Sequence, residues 1–314
     1  MPGDPILTIS ASTSFSIPQI TGTQNDTKCA NEQLSLSASA SGGEIYWFDA
    51  PSSGNLIFTG DTYQPILNTT TSFWVSAGSN NCDTGLRSEV IATILSIPTA
   101  NTPSNIDVCD DNNDGVFDFD FDPDVTNEVL GSQLAADFNV LYFTSQADAD
   151  AGSNPISLPF SNTSNAQQIF VRIENVLNTT CYDTTSFIVE VFDTPTANVV
   201  DTLSFCDDGI DGSLTNGQMD VDLSAATTVV LGSQSPADFN VTYHLNQNDA
   251  DTNTNALPLT FYNSTPFAQT IFVRIENVLN TDCFDTSSFV VEVFATPTAN
   301  TPSNIDVCDD NNDG

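Results

Sequence analysis

Short runs in which apolar and polar residues alternate recur along most of the chain. The first third contains QLSLSASA, GEIYWFDA, TSFWVSAG and SEVIATIL, separated by Gly, Asn, Pro and Asp. Because successive side chains of a strand point to opposite faces, this two-residue period predicts half-buried β-strands. No long segment has the 3.6-residue period of a helix, and a short helical turn is expected near residues 147–151. The pattern predicts an all-β fold of tandem β-sandwich modules arranged as an extended rod.

Long stretches of the chain repeat one another. IFVRIENVLNT occurs at 169–179 and at 271–281, and PTANTPSNIDVCDDNNDG occurs at 98–115 and at 297–314. Such fixed spacing indicates tandem modules of about 100 residues. The predicted divisions are a strand stub of a preceding module or a free N-terminal strand (1–20), a first module (21–97), repeat A (98–194), repeat B (195–296) and the start of a further repeat (297–314).

Proline-rich segments separate the modules. IPTANTPSN, DTPTAN and ATPTANTPSN begin at residues 97, 193 and 295. Because the residue before a proline avoids helical backbone angles, these segments are expected to be short extended linkers.

The charge of the chain excludes several classes of function. Forty-one acidic and four basic residues give a formal charge of −37, so neutralisation of nucleic-acid phosphates is excluded. No apolar stretch approaches the roughly 18 residues of a transmembrane helix, and direct membrane insertion is not expected. Catalytic bases are scarce, because His244 is the one histidine and occupies the place of Phe143 in the other repeat. None of the motifs GxSxG, HExxH, P-loop and GxGxxG occurs, so the sequence indicates a protein that is not an enzyme.

The module order resembles that of known secreted proteins. In the first module, Cys29, the LSLSASA strand, Trp47 with Phe48, the TTTSFWVSA strand, Cys82 and Arg87 resemble bacterial Ig-like domains of large secreted Bacteroidetes proteins. In the repeats, the order CDDNNDG, FDFD, VLGSQ, ADFNV, DADA, IFVRIEN, Cys and TSFIVEV is similar to repeats of long flavobacterial surface adhesins exported by the gliding-associated secretion system. The resemblance implies an extracellular or cell-surface location.

The cysteines divide evenly among the modules. In each module one cysteine precedes the first strands, and the other precedes the last strand. The same arrangement in three modules favours disulfides over metal thiolates, whose CxxC spacing is missing. The predicted pairs lie within modules: Cys29 with Cys82, Cys109 with Cys181, and Cys206 with Cys283. Cys308 would find its partner in a further repeat. Buried free thiols in a reducing compartment are the alternative.

Acidic loops follow the proline-rich linkers. Asp110, Asn112 and Asp114, followed by Gly115, have the spacing of the first half of an EF-hand calcium loop. The twelfth position holds Phe instead of the bidentate Glu, so Asp118 or another flanking Asp would complete the site. The sequence therefore predicts calcium binding.

The same motif recurs less completely in the later modules. Repeat B keeps Asp207 and Asp211 but has Gly209 where repeat A has an Asn, and the chain end carries Asp309, Asn311 and Asp313. The alternative is an Asp- and Asn-rich turn without an ion. The acidic DADA and DAD segments near residues 148 and 249 are expected to be solvated loops, with further calcium ligation as the alternative.

Two other side-chain groups admit a structural and a binding interpretation. Arg172 and Glu174 share one strand face, which predicts a structural ion pair or an Arg that tethers an acidic loop rather than a substrate clamp. Trp47 is expected in the core, whereas an exposed pair of Trp74 and Tyr63 would favour a glycan site.

The sequence thus predicts a non-catalytic stalk or fibre segment of an extracellular adhesin. Its expected partners are neighbouring modules or copies of the same protein, and surface glycans are a further possibility. One alternative is a self-assembling filament subunit in which residues 5–17 complete the sheet of a neighbouring copy. The other alternative is a glycan-binding module.

Overall fold

The computed structural model describes residues 17–79, 82–83, 86–305, 308 and 310–311. The predicted all-β class is confirmed: β-sandwich modules follow one another along the chain. Within these residues, four short helices accompany the strands. The strand proposed over residues 5–17 lies outside the described residues, except for Ile17.

The first module is a sandwich of two sheets. Its strands are β1 (Ile20–Gln24), β2 (Asp26–Cys29), β3 (Leu36–Ala40), β4 (Glu44–Phe48), β5 (Leu56–Thr59), β6 (Thr62–Tyr63), β7 (Thr71–Ser79), β8 (Cys82–Asp83) and β9 (Ser88–Leu95). One sheet has the order β1-β3-β6, and the other has the order β2-β9-β7-β4-β5, with β8 paired to β7. Trp47 is fully buried between the sheets, so its predicted core position is confirmed.

Repeats A and B are built from the same elements. Repeat A contains β10 (Ile106–Asp110), β11 (Asp118–Phe119), α1 (Asp124–Leu130), β12 (Phe138–Phe143), α2 (Gln146–Ala151), β13 (Phe160–Ser161), β14 (Gln167–Asn175) and β15 (Asn178–Asp193). Repeat B contains β16 (Leu203–Cys206), β17 (Asp220–Asp222), α3 (Ser224–Leu231), β18 (Phe239–His244), α4 (Gln247–Asp251), β19 (Thr260–Tyr262), β20 (Ala268–Asn277) and β21 (Phe284–Phe294).

Each repeat pairs a four-stranded sheet with a two-stranded one. The larger sheets have the orders β10-β15-β14-β12 and β16-β21-β20-β18, and the smaller ones are β11-β13 and β17-β19. In repeat B the alternate apolar residues of β20 and β21 meet the apolar face of α3, and this forms a continuous core that includes Ile271, Val273, Phe289 and Val291.

In every module the first edge strand of the larger sheet runs parallel to the last strand. β2 is parallel to β9, β10 to β15, and β16 to β21. The first cysteine of each module lies on this edge strand, and its partner position in the neighbouring strand is Leu95 for Cys29, Phe192 for Cys109 and Phe294 for Cys206. These three cysteines therefore lie close to the end of the last strand.

The sequence pattern predicts α2 but none of the other three helices, α1, α3 and α4. In α1 the buried residues Val125, Val129 and Leu130 have helical spacing, but the segment has only seven residues. A window this short contains two apolar repeats at most, which explains why the period was missed. The helical turn expected near 147–151 is present as α2.

The chain divides into two compact units. Of the described residues, the first unit contains those up to Ser104 together with Asp120–Pro159 and Gln168–Phe187. The second contains Asn105–Phe119, Phe160–Gln167 and the residues from Ile188 onward. The contacts of the first module with repeat A thus fall within one unit, and those of repeat A with repeat B fall within the other.

Candidate functional site: the joints between modules

Two disulfides connect consecutive modules. Cys29 of the first module is bonded to Cys181 of repeat A, and their Cα atoms are 5.4 Å apart. Cys109 of repeat A is bonded to Cys283 of repeat B, with a Cα separation of 5.3 Å. The predicted pairing within modules, Cys29 with Cys82, Cys109 with Cys181 and Cys206 with Cys283, is therefore wrong. We call the contacts around the first disulfide joint 1 and those around the second joint 2.

Strand direction explains why a pair within one repeat cannot form. In repeat B, Cys206 lies opposite Phe294 at the end of β21, whereas Cys283 immediately precedes the first residue of that strand. β21 has 11 residues, and at roughly 3.4 Å per residue the two cysteines are roughly 35 Å apart. A disulfide requires Cα atoms within about 7 Å of each other.

The structure describes the side chains of two of the three remaining cysteines and the backbone of the third. Cys206 and Cys308 are free thiols exposed to solvent, so Cys206 is not in the disulfide predicted for it. The backbone of Cys82 lies in β8. Cys206 occupies the same place in repeat B as Cys109 in repeat A, because each lies on the parallel edge strand opposite the equivalent Phe of the last strand, Phe294 or Phe192.

Joint 1 is buried around its disulfide. Cys29, Leu95 and Cys181 form a small apolar cluster, with Cys29 and Cys181 at 2% and 1% exposure. The Thr180 hydroxyl lies 3.6 Å from the Cys29 sulfur. The side chain of Asn175 donates a hydrogen bond to the carbonyl of Ser96, just beyond the end of β9, at 3.4 Å. Repeat A thus contacts the end of the last strand of the first module.

Joint 2 repeats this arrangement. Asn277 of repeat B donates from its side-chain amide to the carbonyl of Asp193, the last residue of β15, at 3.0 Å. Both asparagines are buried, at 5% exposure for Asn175 and 7% for Asn277. The two joints therefore use the same disulfide and the same amide contact.

The proline-rich linkers lie outside helices and strands and are bonded to the repeat that follows. Gln133 of the LGSQ motif accepts from the amide of Thr99 at 2.9 Å and donates to its carbonyl at 2.7 Å. Gln234 makes the same two bonds with Thr196, at 2.8 and 2.7 Å. Because a side-chain amide paired with a main-chain amide fixes both partners, these linkers do not behave as free spacers.

The asparagine of the PTAN motif lies so close to the glycine of LGSQ that this position has no room for a side chain. Asn101 donates to the carbonyl of Val129 at the end of α1, at 2.9 Å. Gly131 has φ +57°, and a Cβ at this position would lie 2.8 Å from the Asn101 amide nitrogen. Asn198 and Gly232 have the same relationship in repeat B, again at 2.8 Å. The two repeated motifs are thus complementary parts of one contact.

A carboxylate completes the attachment of each linker. Asp183 accepts from the amide of Ala100 at 2.9 Å, and Asp285 accepts from that of Ala197 at 2.8 Å. Both aspartates lie two residues after the cysteine at the start of the last strand, Cys181 or Cys283, which we call the last-strand cysteine of the repeat. The linker and the disulfide are therefore fixed to the same end of the repeat.

The predicted pairing of Arg172 with Glu174 is present, and it belongs to a larger network. The two side chains meet at 2.7 Å and are nearly buried. Arg172 also donates to the carbonyls of Ala149 and Asp150 at 3.0 and 2.9 Å, and it lies over the Tyr182 ring at 3.6 Å. It thus also tethers the acidic DADA segment, and Arg274 does the same in repeat B.

The acidic loop of repeat A is closed by its own main chain. Asp110 is 1% exposed, and its carboxylate accepts from the amides of Asn112, Asn113 and Gly115, at 3.1, 2.9 and 2.6 Å. Asp114 accepts from the side chain of Asn112 at 3.0 Å. Backbone N–H groups satisfy the buried carboxylate, so this loop holds its conformation through hydrogen bonds.

The loop of repeat B uses a different set of partners. Buried Asp207 accepts from the amides of Gly209 and Gly217, both at 3.1 Å. Asp211 accepts from Asn216 at 2.6 Å and from the Tyr262 hydroxyl at 2.7 Å. These bonds, that of Asn216 first, lower the pKa of Asp211, and the bond to Asp211 raises the pKa of Tyr262.

Among the described residues, no group of three or more His, Cys, Asp and Glu side chains has an arrangement that would hold a metal ion. Asp309 and Asp313, two of the proposed ligands, lie outside the described residues. Asp118 bonds the Ser161 hydroxyl, and Asn311 is described but its proposed partners in the loop are not. Calcium binding therefore stays a prediction.

The second acidic segments begin short helices. Ser145 is the N-cap of α2: its hydroxyl accepts from the amide of Asp148 at 3.1 Å and donates to the Asp148 carboxylate at 2.6 Å. That bond and the bond from Asn154 lower the pKa of Asp148. Asn246 and Asp249 make the corresponding cap of α4. These aspartates therefore lie three residues after the N-cap and bond the side chain of the capping residue.

His244 is a core residue. It is fully buried on β18 at the place that Phe143 has on β12, and both lie opposite a Phe of the next strand. Its Nδ1 lies 2.8 Å from the carbonyl of Thr254, and its Nε2 lies 3.0 Å from the Thr242 hydroxyl. Both ring nitrogens thus have structural partners, which agrees with the interpretation of His244 as a tolerated aromatic position.

The aromatic residues of the first module pack with one another. Tyr63 lies against Trp47, Phe58 and Phe73, with ring centroids 5.2–5.6 Å apart. Trp74 lies opposite Phe48 in the sheet, and Phe48 is covered by Arg87 at 3.3 Å. Tyr63 is thus part of the core packing and does not form an exposed pair with Trp74.

Among the described residues, no helix has both the length and the apolar character needed to cross a membrane.

The fold and the two joints define a class of protein, a series of tandem immunoglobulin-like modules in which one module is disulfide-bonded to the next. A family model described as "Flavobacterium inter-domain disulphide bond domain" matches residues 105–195 and 202–297. A second model, "Ig-like domain CHU_C associated", matches residues 16–95. Because the first model matches more than half of the chain, the chain belongs to the Flavobacterium inter-domain disulphide bond domain family. The resemblance to multi-domain Ig-like surface proteins of Bacteroidetes is confirmed.

Solved structures of similar appearance are tandem immunoglobulin domains. The titin I-band fragment I67–I69 is 10% identical with a TM-score of 0.37, and the alignment covers 90% of this chain and all of that one. The ICAM-5 D1–D4 ectodomain fragment is 10% identical with a TM-score of 0.33, covering 88% of this chain and 76% of that one. Likenesses this distant carry no argument about function. A search of curated protein sequences finds no match.

Proposed function

We propose that this chain is a load-bearing segment of an extracellular stalk or fibre of a bacterial surface protein, which holds an adhesive part away from the cell. The observation that carries the proposal is that each disulfide crosses a joint. A bond within a module would stabilise that module alone, whereas Cys29–Cys181 and Cys109–Cys283 resist the separation of neighbouring modules. Disulfides of this kind persist in an oxidising environment, which supports an extracellular location.

The overlap of the two disulfide loops limits how far the chain can be stretched. The loops span 152 and 174 residues and share the segment from Cys109 to Cys181. Between Cys29 and Cys283 the shortest covalent path runs through both disulfides and this segment, 181 − 109 = 72 residues. Without the disulfides the path has 283 − 29 = 254 residues. At about 3.5 Å per extended residue, the limits are about 250 Å and about 890 Å.

The proposal is tested by stretching single molecules held at residues 29 and 283, or close outside them. Under oxidising conditions the fully stretched length is expected to stop near the shorter limit, and with dithiothreitol it is expected to reach the longer one. A chain carrying C29S and C109S, measured without reductant, is the matched control and should behave like the reduced protein. Equal lengths with and without reductant would contradict the load-bearing role.

The exposed thiol of Cys206 supports continuation of the array. Cys206 and Cys109 occupy equivalent positions, and Cys109 binds the last-strand cysteine of the repeat that follows. On this proposal Cys206 forms a disulfide with the last-strand cysteine of a further repeat, either in the same protein or in a neighbouring copy. Phe294 beside it is 54% exposed, whereas its equivalent Phe192 is partly buried at joint 2.

Calcium binding is part of the proposal and has its own test. The side chains of Asn112 and Asp114 are the candidates for ligands, because they are exposed to solvent whereas the carboxylate of Asp110 is buried. Isothermal titration with CaCl₂ should give binding that D114N weakens, with D124N as a control outside the loop. No heat above that of dilution would contradict calcium binding without affecting the load-bearing role.

A further inference from the structure

One buried asparagine in each joint contacts both of the modules that the disulfide connects. On the side of the preceding module, Asn277 donates to the carbonyl of Asp193 at 3.0 Å. On its own side, its backbone amide donates to the carbonyl of Cys283 at 2.9 Å. Its side-chain oxygen accepts from the amide of Leu279 at 2.9 Å, which orders the turn before the cysteine. Asn277 therefore links the last-strand cysteine to the preceding repeat without using the disulfide.

The accepting carbonyl is adjacent to the position of the other cysteine. Cys109 lies opposite Phe192 in the parallel pair of β10 and β15, and Asp193 is the next residue. Asn277 thus bonds the residue that directly follows the strand partner of Cys109. A hydrogen bond at this point holds repeat B against repeat A next to the Cys109–Cys283 disulfide.

Joint 1 has the same geometry with different residues. Cys29 lies opposite Leu95, and Asn175 donates to the carbonyl of Ser96, the next residue, at 3.4 Å. The side-chain oxygen of Asn175 accepts from the amide of Leu177 at 3.0 Å. The accepting residue is Ser in one joint and Asp in the other, so the contact depends on the main chain and not on the side chain of the preceding module.

We propose that Asn175 and Asn277 are positioning residues for disulfide formation, which dock the last-strand cysteine of a repeat onto the edge-strand cysteine of any preceding module. The inference rests on the proposed function, because it concerns the same joints. Since the recognised group is a backbone carbonyl, an Ig-like module and a repeat can precede a repeat equally well.

The chemistry of the step is a thiol–disulfide exchange. With glutathione disulfide as the oxidant, the thiolate of one cysteine displaces one glutathione thiolate and forms a mixed disulfide. The docked thiolate of the second cysteine then displaces the other glutathione. Two protein thiols lose two protons and two electrons, and one glutathione disulfide becomes two glutathione molecules. Docking raises the effective concentration of the second thiol, and so it shifts this equilibrium towards the protein disulfide.

The test uses the full chain equilibrated in glutathione buffers of graded ratio, quenched with acid, alkylated and analysed by mass spectrometry for each cysteine pair. N277D keeps the acceptor for Leu279 but replaces the donating amide. It is expected to lower the effective concentration of the Cys109–Cys283 pair about five- to tenfold, the effect of one hydrogen bond. The Cys29–Cys181 pair in the same molecule should shift by less than twofold, and N175D should give the reverse pattern.

A matched control separates positioning from stability. Asn263 is also buried, accepts from the amide of Met219 and donates to the carbonyl of Gly217, all within repeat B. N263D is therefore expected to lower the melting temperature without a selective shift of one pair. Should N277D prevent folding, as judged by circular dichroism, N277S serves in its place.

The outcomes separate this inference from the proposed function. If N277D and N277S leave the Cys109–Cys283 equilibrium within twofold of the wild type, or shift both pairs alike as N263D does, the positioning role is overturned and the load-bearing role is unaffected. If the wild-type chain does not contain the two joint disulfides, the proposed function fails before any asparagine variant is measured.

Discussion

Cys109 is bonded to Cys283, a residue of the next repeat, although Cys181 of its own repeat is much closer along the chain. The reason is the parallel edge strand, which brings each first cysteine to the end of its module that contacts the following one. Loop closure over 152 and 174 residues stabilises the folded chain by about 5 kcal/mol for each bond taken alone in the chain-entropy model.

Removal of one joint disulfide should destabilise the chain, whereas removal of a free cysteine should not. C283S is expected to lower the free energy of unfolding by about 2–5 kcal/mol, because the unfolded chain regains the freedom of a long loop. C206S is the matched control, since Cys206 is an exposed free thiol, and it should stay within about 0.5 kcal/mol of the wild type. Urea unfolding without reductant measures both, and equal midpoints for the two variants would contradict the assigned pairing.

The buried ion pair of repeat B should be sensitive to loss of its cation. R274M removes the cation beside buried Glu276, which keeps only the bonds from neutral amides, and the carbonyls of Ala250 and Asp251 lose their donor. Breaking a buried pair in this way typically costs about 3–5 kcal/mol. The double variant R274M/E276Q removes the unpaired charge and is expected to recover part of the loss. Thermal unfolding that gives the same value for the single and the double variant would argue against charge burial as the cause.

Substitution of Gly131 should loosen the linker that precedes repeat A. In G131A the new methyl group would lie 2.8 Å from the Asn101 amide and the residue would keep a positive φ of 57°. The expected cost is about 1–3 kcal/mol. G115A is a control, because Gly115 also has a positive φ, of 78°, but nothing lies within 4 Å of the added carbon. Chemical denaturation should rank G131A below G115A, and limited proteolysis should cleave the linker of G131A sooner.

Asp211 should lose its contribution to stability only in strongly acidic solution. Its pKa in the folded chain is lowered by the bonds from Asn216, Tyr262 and Ser213, relative to about 3.9 in an unfolded chain. The unfolded state therefore binds the proton first, and the contribution is complete above about pH 4 and is lost as pH falls through the lower folded pKa. NMR titration of the carboxyl carbon measures that pKa. Y262F removes one donor, so it should raise the pKa of Asp211 towards its usual value, and an unchanged titration would contradict the assigned cause.

Much of the fold followed from periodicities in the sequence. Two-residue alternation predicted the strands, and the duplicated IFVRIENVLNT segments indicated the tandem repeats. The same duplication could not identify the pairs of cysteines. The first cysteine of a module could pair with the last-strand cysteine of its own module or with that of the next one, and both kinds of pairing would recur from module to module. The deciding fact is that β16 runs parallel to β21, and strand direction in a sheet is a tertiary property that alternation does not encode.

The linkers carried a signal that could have been found. PTAN and LGSQ occur together in both repeats. The Asn of PTAN donates to a carbonyl near the end of α1 or α3, and the Gln of LGSQ donates to the carbonyl of the Thr in PTAN. Two polar motifs that are duplicated together, far apart in sequence, are consistent with a shared contact. By contrast, the main-chain bonds that close the Asp110 loop could not be anticipated, because an EF-hand half and an Asx-rich turn have the same residue spacing.

The overlap of the two disulfide loops also protects the chain against proteases. A single backbone cut anywhere between Cys29 and Cys283 leaves all pieces covalently connected, because each interval between successive joint cysteines is bypassed by at least one disulfide. With bonds confined to modules, one cut in a linker would release everything beyond it. The exposed parts of the linkers can thus be nicked outside the cell while the array stays in one piece, and fragments appear only once the chain is reduced.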